Sequence, residues 1–243
     1  VYTYSGVKFG AFVTVNGGRV YFGESSDGTI RSVDLNGGSE TLHATVPGIY
    51  DLEFSSLGEA FISANGGGFV DQMNEVRKLN LGTGAETVII NATNDFSGPI
   101  DFDGAGNLYY AGSGFGTSPP TAIYRFSPGQ LMGVTPLALA DGSLLADPGG
   151  SSHLEFVDSD GLYRHLFGGL TLVDTGDGSM RPVAGEPSPT LGAIAFNGQG
   201  LYGISTDFGT NISQFVFIPE PSSAGLFLIS FFAFVQHRRR CGT

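Results

Sequence analysis

Three acidic residues recur at matching places in the chain and could together hold a metal ion. Glu53, Asp101 and Glu155 each stand directly before a phenylalanine, in short segments that are otherwise largely apolar. Carboxylate oxygens are the ligands that calcium and other hard cations prefer. The pattern gives a candidate metal site at these three residues. Polar residues alternating along a strand with one wet face produce the same pattern, and we favour this simpler interpretation.

A second set of residues has the chemistry of a nucleophile and its base. His153 lies beside Ser151 and Ser152 and two residues before Glu155. A hydroxyl activated by histidine is a common arrangement in covalent catalysis. Neither serine stands in the Gly-x-Ser-x-Gly sequence that exposes a nucleophile on a sharp turn. We therefore predict no catalytic residue here and interpret His153 as a structural or solvent-facing side chain.

The segments that position these residues repeat five times. Each copy runs from an apolar residue through a turn rich in Gly, Asn or Asp to an aromatic residue, which is typical of a β-hairpin. The copies begin 39 to 54 residues apart, at Val15, Phe54, Phe102, Phe156 and Phe196. A segment of alternating polar and apolar residues follows each hairpin, and most copies add a Gly-rich turn and a short fourth strand. Four short antiparallel strands at such a period predict a β-propeller blade.

The predicted fold is therefore all-β, a β-propeller of about five four-stranded blades within residues 1–217. A closed five-bladed ring and an incomplete six- or seven-bladed ring are both compatible with five units. Val1–Tyr4 could close the ring against Ser213–Phe217. A sandwich or jelly roll also uses many short strands and Gly-rich turns, but the recurring Gly-Leu-Tyr step favours the propeller.

The hairpin from Asp103 to Tyr109, Asp-Gly-Ala-Gly-Asn-Leu-Tyr, resembles hairpins of the NHL and gluconolactonase-like propellers. The resemblance implies a site around the central channel, where a bound metal polarises a substrate carbonyl. It supports a second functional hypothesis, a metal-dependent lactonase or hydrolase that uses Glu53, Asp101, His153 and Glu155. Calcium would be its cofactor.

The end of the chain has three parts in a fixed order. A Pro-Glu-Pro-Ser segment ends regular structure, because proline lacks a backbone donor and restricts its predecessor. The 12 residues 224–235 are almost wholly apolar. They are fewer than the ~20 of a comfortable spanning helix, yet too apolar for an exposed tail, and they predict a short transmembrane helix. Three arginines follow and would stay on the cytoplasmic side. Residues 218–243 therefore form a unit separate from the propeller.

This order resembles the PEP-CTERM sorting signal of bacteria. The matching residues are Pro219, Glu220, Pro221, Ser222, Arg238, Arg239 and Arg240. The resemblance implies export, recognition by an exosortase, cleavage near Pro-Glu-Pro, and delivery to the cell surface or the extracellular polymer layer after transient membrane anchoring. The chain starts at Val1 without a charged and then apolar leader, so we expect that a leader has been removed or that the sequence is a fragment.

Composition excludes one large class of partners. The chain has 11 basic and 23 acidic residues, a net charge of −12, and all but three of the basic residues precede Pro219. Such a body is repelled by phosphate backbones, which excludes nucleic-acid binding. Aromatic residues in predicted loops, Tyr50, Phe69, Phe96 and Phe115, could stack on the sugars of an extracellular polysaccharide. For most of them we favour burial in the core instead. The leading hypothesis is a non-enzymatic surface or matrix module for binding or adhesion.

Overall fold

The protein is described from a computed structural model. The described residues are 10–24, 27–66, 73–114, 119–133, 135–158, 160–166, 169–183, 191–196, 201–206 and 213–218. The predicted ring-closing segment Val1–Tyr4 and the predicted sorting signal from Pro219 onward lie outside these residues. Within the described ranges, no helix is both long enough and apolar enough to cross a membrane.

The described chain forms five small sheets, which we call blades 1 to 5 in chain order. Blade 1 contains β1 (Gly10–Asn16), β2 (Arg19–Glu24), β3 (Thr29–Asp34) and β4 (Thr41–Thr45). Blade 2 contains β5 (Ile49–Phe54), β6 (Ala60–Asn65), β7 (Met73–Leu79) and β8 (Glu86–Thr93). Blade 3 contains β9 (Ile100–Phe102), β10 (Leu108–Ala111), β11 (Ile123–Phe126) and, later in the chain, β13 (Ser143–Ala146). Blade 4 contains β14 (His153–Val157), β15 (Gly161–Leu166), β16 (Gly169–Val173) and β17 (Met180–Pro182). Blade 5 has three strands among the described residues, β18 (Leu191–Phe196), β19 (Leu201–Thr206) and β20 (Ser213–Ile218).

Blade 3 carries an insertion before its last strand. A one-turn helix, α1 (Pro128–Leu131), follows β11, and the short strand β12 (Leu137–Ala138) then leaves the blade to pair parallel with β8 of blade 2. A 3₁₀ turn at Leu139–Asp141 returns the chain to β13. The insertion thus links blades 2 and 3 on their outer side.

The predicted hairpins are confirmed in all five blades, and the turn residues explain their register. Between β1 and β2, Gly17 and Gly18 both have positive φ, at 56° and 78°. A two-residue turn with positive φ at both positions matches the twist of the flanking strands, and glycine adopts it without a steric penalty. Asn16 consequently pairs with Arg19.

Blades pack face to face in chain order. The first strands of successive blades lie against one another, β1 against β5, β5 against β9, β9 against β14 and β14 against β18. Apolar clusters fill the seams between blades; Phe12 and Ile30 of blade 1, for example, pack with Leu52 and Ile62 of blade 2. Innermost first strands and apolar seams between small radial sheets define a β-propeller. The predicted fold class is confirmed, and the two-layer sandwich is not observed.

Candidate functional site

One equivalent position of the first strands carries the candidate site. In each blade, the residue at this position pairs across the hairpin with the aromatic residue that ends the sequence repeat. These aromatic residues are Tyr21, Phe61, Tyr109, Tyr163 and Tyr202. The residues at this position, in chain order, are Thr14, Glu53, Asp101, Glu155 and Ala195. The three predicted metal ligands therefore occupy one level of three successive blades, as the alignment of repeats indicates.

Each of these carboxylates reaches a neighbouring blade. Glu53 Oε2 accepts a hydrogen bond from Thr14 Oγ1 of blade 1 at 3.0 Å. Asp101 Oδ2 accepts from the backbone N–H of Phe156 in blade 4. Glu155 Oε1 accepts from the backbone N–H of Phe196 in blade 5 at 2.7 Å. The acids thus connect the inner strands of blades that are otherwise held together by apolar contacts.

Asp51 extends this set one level further along β5. It is the most buried of the four acids, 7 % exposed. Its two oxygens accept the backbone N–H groups of Leu52 and of Ile100 in blade 3, both at 2.9 Å. Asp101 repeats the arrangement, since its Oδ1 accepts from Phe102 N at 2.6 Å while Oδ2 takes Phe156. Asp51 and Asp101 therefore have the same role, although they lie at different levels of their strands: each accepts a backbone N–H from the first strand of the next blade.

Burial raises the pKa of all four acids, and the charges of neighbouring acids add to this effect for Glu53, Asp101 and Glu155. Burial is the largest cause in each case. It raises the pKa of Asp51 and of Asp101 to about 7, although their backbone hydrogen bonds act to lower it. The pKa of Glu53 is raised well above its usual value by burial and by the charges of Asp101, Asp51 and Glu155. The pKa of Glu155 is raised in the same way by burial and by Asp101 and Asp51.

In the conformations observed, the four acids do not form a calcium coordination site. Calcium takes six to eight oxygen ligands, whereas both oxygens of Asp101 and one each of Glu53 and Glu155 already accept protein hydrogen bonds. Within the described part of the chain, no three His, Cys, Asp or Glu side chains are placed as metal ligands. The calcium site at Glu53, Asp101 and Glu155 stays a prediction, and it would need these side chains to turn.

Both serines beside His153 have side-chain neighbours in β15. Arg164 Nε lies 3.4 Å from Ser151 Oγ, and Ser152 Oγ pairs with His165 Nδ1 at 3.1 Å. The ring of His153 instead stacks on Tyr50, with ring centroids 6.5 Å apart.

Tyr50 links blade 2 to blade 4. A β-bulge in β5 leaves Tyr50 outside the pairing register between Ile49 and Asp51, and bulges commonly re-aim a side chain in this way. Its hydroxyl donates to the carbonyl of Ser152 in blade 4 at 2.7 Å. Burial raises the pKa of Tyr50 beyond its usual range, with a smaller contribution from Asp51. A sugar-stacking role is therefore a poor fit for Tyr50. Phe96 is half-buried, and Phe69 and Phe115 lie outside the described residues.

Sequence reasoning missed two members of the site. Thr14 directly precedes Val15, the first residue of its hairpin repeat, just as each acid directly precedes the phenylalanine of its repeat. The alignment of the repeats could therefore have identified Thr14. Asp51 stands two residues before Glu53, but its role needs the distance to Ile100, which the sequence does not contain. The predicted sorting residues Pro219 to Ser222 and Arg238 to Arg240 lie outside the described chain.

The geometry of inner strands, seams and channel-facing acids defines a β-propeller protein, and comparison with solved structures agrees. An aldose sugar dehydrogenase from Streptomyces coelicolor, solved with bound PQQ, matches with a TM-score of 0.60 at 16 % identity, over 87 % of this chain and 82 % of that one. A structure of a nidogen/laminin complex matches with a TM-score of 0.59 at 19 % identity, over 83 % and 72 %. Regucalcin from Agrobacterium tumefaciens, described as a calcium-binding protein, matches with a TM-score of 0.59 at 17 % identity, over 84 % and 71 %.

At such identities the similarity shows the fold alone. No protein-family model and no curated protein sequence matches the chain.

Proposed function

We propose that the protein is an exported, exosortase-sorted bacterial module that binds at the cell surface or in the extracellular matrix and has no catalytic activity. The observation that carries the proposal is the order of the tail, Pro-Glu-Pro, apolar segment and arginine cluster, in a chain whose last described strand ends at Ile218. A folded body followed at once by such a tail has the layout of a processed surface protein. The partners would be an exosortase, the membrane and, for the body, an extracellular polysaccharide.

The chemistry of the inner strands supports a binding role over catalysis. Each of the four acids accepts at least one protein hydrogen bond from a neighbouring blade. The serines beside His153 pair with Arg164 and His165. Hydrogen bonds of this kind hold the inner strands of neighbouring blades together. Because a propeller fold hosts binding proteins and enzymes alike, the binding role rests on these contacts and on the tail rather than on the fold.

Sorting is tested by expressing the full chain in a host that has an exosortase and in the same host without it. With the enzyme, we expect release of a shortened chain cut near Pro221, identified by intact mass, and surface exposure of the body. Replacing Arg238 to Arg240 by alanine, or Pro219 and Pro221 by alanine, should leave an uncut membrane-bound chain. The matched control is Arg181→Ala, which alters an exposed basic residue of the body. Equal processing of every variant, or surface delivery of a chain ending at Ile218, would overturn the sorting proposal.

Binding is tested separately with the body, residues 1–218, and extracellular polysaccharide purified from the same host. Co-sedimentation that saturates and survives 0.5 M salt is expected, because an acidic body cannot rely on charge attraction to a polysaccharide, which is often itself anionic. Absence of saturable binding would overturn the polysaccharide assignment and leave the sorting result untouched.

A second candidate function is the metal-dependent hydrolase or lactonase, and one observation favours it. Four buried carboxyl groups with raised pKa values lie on the first strands of blades 2 to 4, and a bound cation would favour their charged forms. Regucalcin, which has a similar fold, is described as a calcium-binding protein. Residues Glu53, Asp101 and Glu155 would hold the ion, with His153 nearby in sequence.

Thermal unfolding of the body in calcium and in excess chelator distinguishes the two candidates. A ligand that binds only the folded state raises its stability. A rise of several degrees in calcium, lost in Glu53→Gln, together with hydrolysis of a simple γ-lactone, would favour the hydrolase. A cooperative transition that is indifferent to calcium and chelator would favour the non-enzymatic module.

A further inference from the structure

A cleft lies on the seam between blades 2 and 3, and its lining includes none of the four acids. It has a volume of about 520 Å³. Its walls are the β5–β6 hairpin on one side and the β9–β10 hairpin with α1 on the other, and its floor includes Phe61, Ile89 and Phe102. The rings of Phe61 and Phe102 meet edge to face, with centroids 5.1 Å apart. Small-molecule sites are typically concave, mostly apolar and of ~300–1,000 Å³, and the cleft fits this description.

The rim of the cleft exposes two large apolar side chains. Leu57 at the hairpin tip is 83 % exposed, and Met132 just after α1 is 84 % exposed. Among the described large apolar residues, the next most exposed are Leu35 at 66 % and Leu144 at 65 %. The two most exposed apolar side chains of the described chain therefore border the same cavity. Clustered exposed apolar groups mark contact surfaces, and methionine adapts to ligands of varied shape.

The charges at the cleft cancel each other. Lys78 Nζ lies 2.5 Å from Glu59 Oε1, and these are the two charged residues that line the cavity. An anionic ligand would find the lysine already paired and would be repelled by the acidic body. A cationic ligand would be attracted by the acidic body, but it would find the one carboxylate that lines the cavity already paired with Lys78. An uncharged ligand meets neither obstacle, and the ion pair with Ser55 and Ser56 still offers it both donors and acceptors.

From this cavity, its apolar rim and its balanced charge, we propose that the cleft between blades 2 and 3 binds an uncharged amphipathic small molecule. Its apolar body would lie over Phe61, Ile89 and Phe102, between Leu57 and Met132. Its single polar end, a hydroxyl or carbonyl, would meet the Lys78–Glu59 pair. The assignment depends neither on the sorting tail nor on the central channel.

The absence of tryptophan from the chain makes a specific test available. In the body, residues 1–218, Leu57→Trp places a single tryptophan on the rim of the cleft, and Leu35→Trp places one at a similarly exposed turn of blade 1 that does not line it. Both sites are exposed, so neither substitution disturbs the core. Met132→Trp offers a second reporter on the opposite rim.

The probes are 1-octanol, sodium octanoate and octylammonium chloride, which share one tail and differ in charge. We expect 1-octanol to cause a saturable blue shift of emission in Leu57→Trp and none in Leu35→Trp. The charged probes should bind at least about tenfold more weakly, and adding Met132→Ser should weaken octanol binding at least about threefold. No saturable shift in either rim reporter, or the same shift in Leu35→Trp, would overturn the site. Equal affinity for the three probes would overturn the uncharged ligand class.

Discussion

Asp51 of blade 2 and Ile100 of blade 3 are joined by a hydrogen bond of 2.9 Å from the backbone N–H of Ile100 to Asp51 Oδ2. Both residues are buried, and Asp51 also accepts the N–H of Leu52. The first strand of a propeller blade has a neighbour in its own sheet on one side only, so its other edge needs acceptors from elsewhere. A carboxylate from the preceding blade supplies one here, and Asp101 does the same for Phe156.

Asp51→Ala should destabilise the body by about 1–3 kcal/mol, because it leaves two N–H groups of the inner strands without their acceptor. Relief of charge repulsion among the acids offsets part of this loss. Urea unfolding followed by circular dichroism measures the change. Asp158→Ala, at an exposed turn position, is the control and should alter the free energy of unfolding by less than about 0.5 kcal/mol. Equal effects of the two changes would show that Asp51 does not link the blades.

The free energy of unfolding should fall as pH rises from 6.5 to 8. The acids Asp51, Glu53, Asp101 and Glu155 have raised pKa values in the folded protein, so the folded state binds more protons than the unfolded chain in this window, and stability declines with pH. A difference of one pH unit between the folded-state and unfolded-state pKa of a group corresponds to about 1.4 kcal/mol of stability.

His165 acts in the opposite direction below this window. Burial and the charge of Arg164 lower its pKa to about 4, so its contribution to stability is lost as the pH falls from about 6.5 toward 4. Denaturant unfolding at several pH values tests the prediction. Glu155→Gln should flatten the slope between pH 6.5 and 8, whereas Asp158→Asn should not. A stability that rises across that window in the unsubstituted protein would contradict it.

Tyr110→Phe should cost about 1–3 kcal/mol of stability. The Tyr110 hydroxyl donates to Asp95 at 2.7 Å and lies 3.0 Å from the amide of Asn74. All three residues are at most 1 % exposed, so the carboxylate of Asp95 cannot recruit bulk water in place of the lost donor. Thermal unfolding compares this variant with Tyr124→Phe at a half-buried position. Equal melting temperatures would show that the network around Asp95 adds no stability.

Gly48→Ala should destabilise the body more than Gly84→Ala. Both glycines have nearly the same positive φ, 73° and 72°, so the conformational cost of about 1–2 kcal/mol is shared. A Cβ at Gly48 would lie 2.6 Å from the carbonyl oxygen of Asn65, whereas one at Gly84 would meet no atom within 4 Å. The difference between the two free energies of unfolding isolates the steric contribution. No difference would mean that the turn before β5 relaxes freely.

Much of the fold follows from local sequence. Each strand pair is fixed by a short turn rich in Gly, Asn or Asp and by the alternation of polar and apolar residues in the strands on either side. Both features can be recognised in the sequence without a structure. The five predicted hairpins are confirmed for this reason. The strand β12 was not predicted, because two residues pairing in parallel with β8 leave no periodic pattern in the sequence.

The sequence by itself determined the all-β class, the number of repeats, and the placement of Glu53, Asp101 and Glu155 at one level of successive blades. Only the tertiary structure decided what these acids do. Whether a carboxylate faces a cation, a substrate or a backbone N–H depends on the neighbouring blade, which lies some 40 to 55 residues away in the chain. Glu155 Oε1, for example, lies 2.7 Å from the backbone nitrogen of Phe196 in the next blade. Hydrogen bonding and burial act over a few ångströms in space, and that proximity arises only when the blades pack.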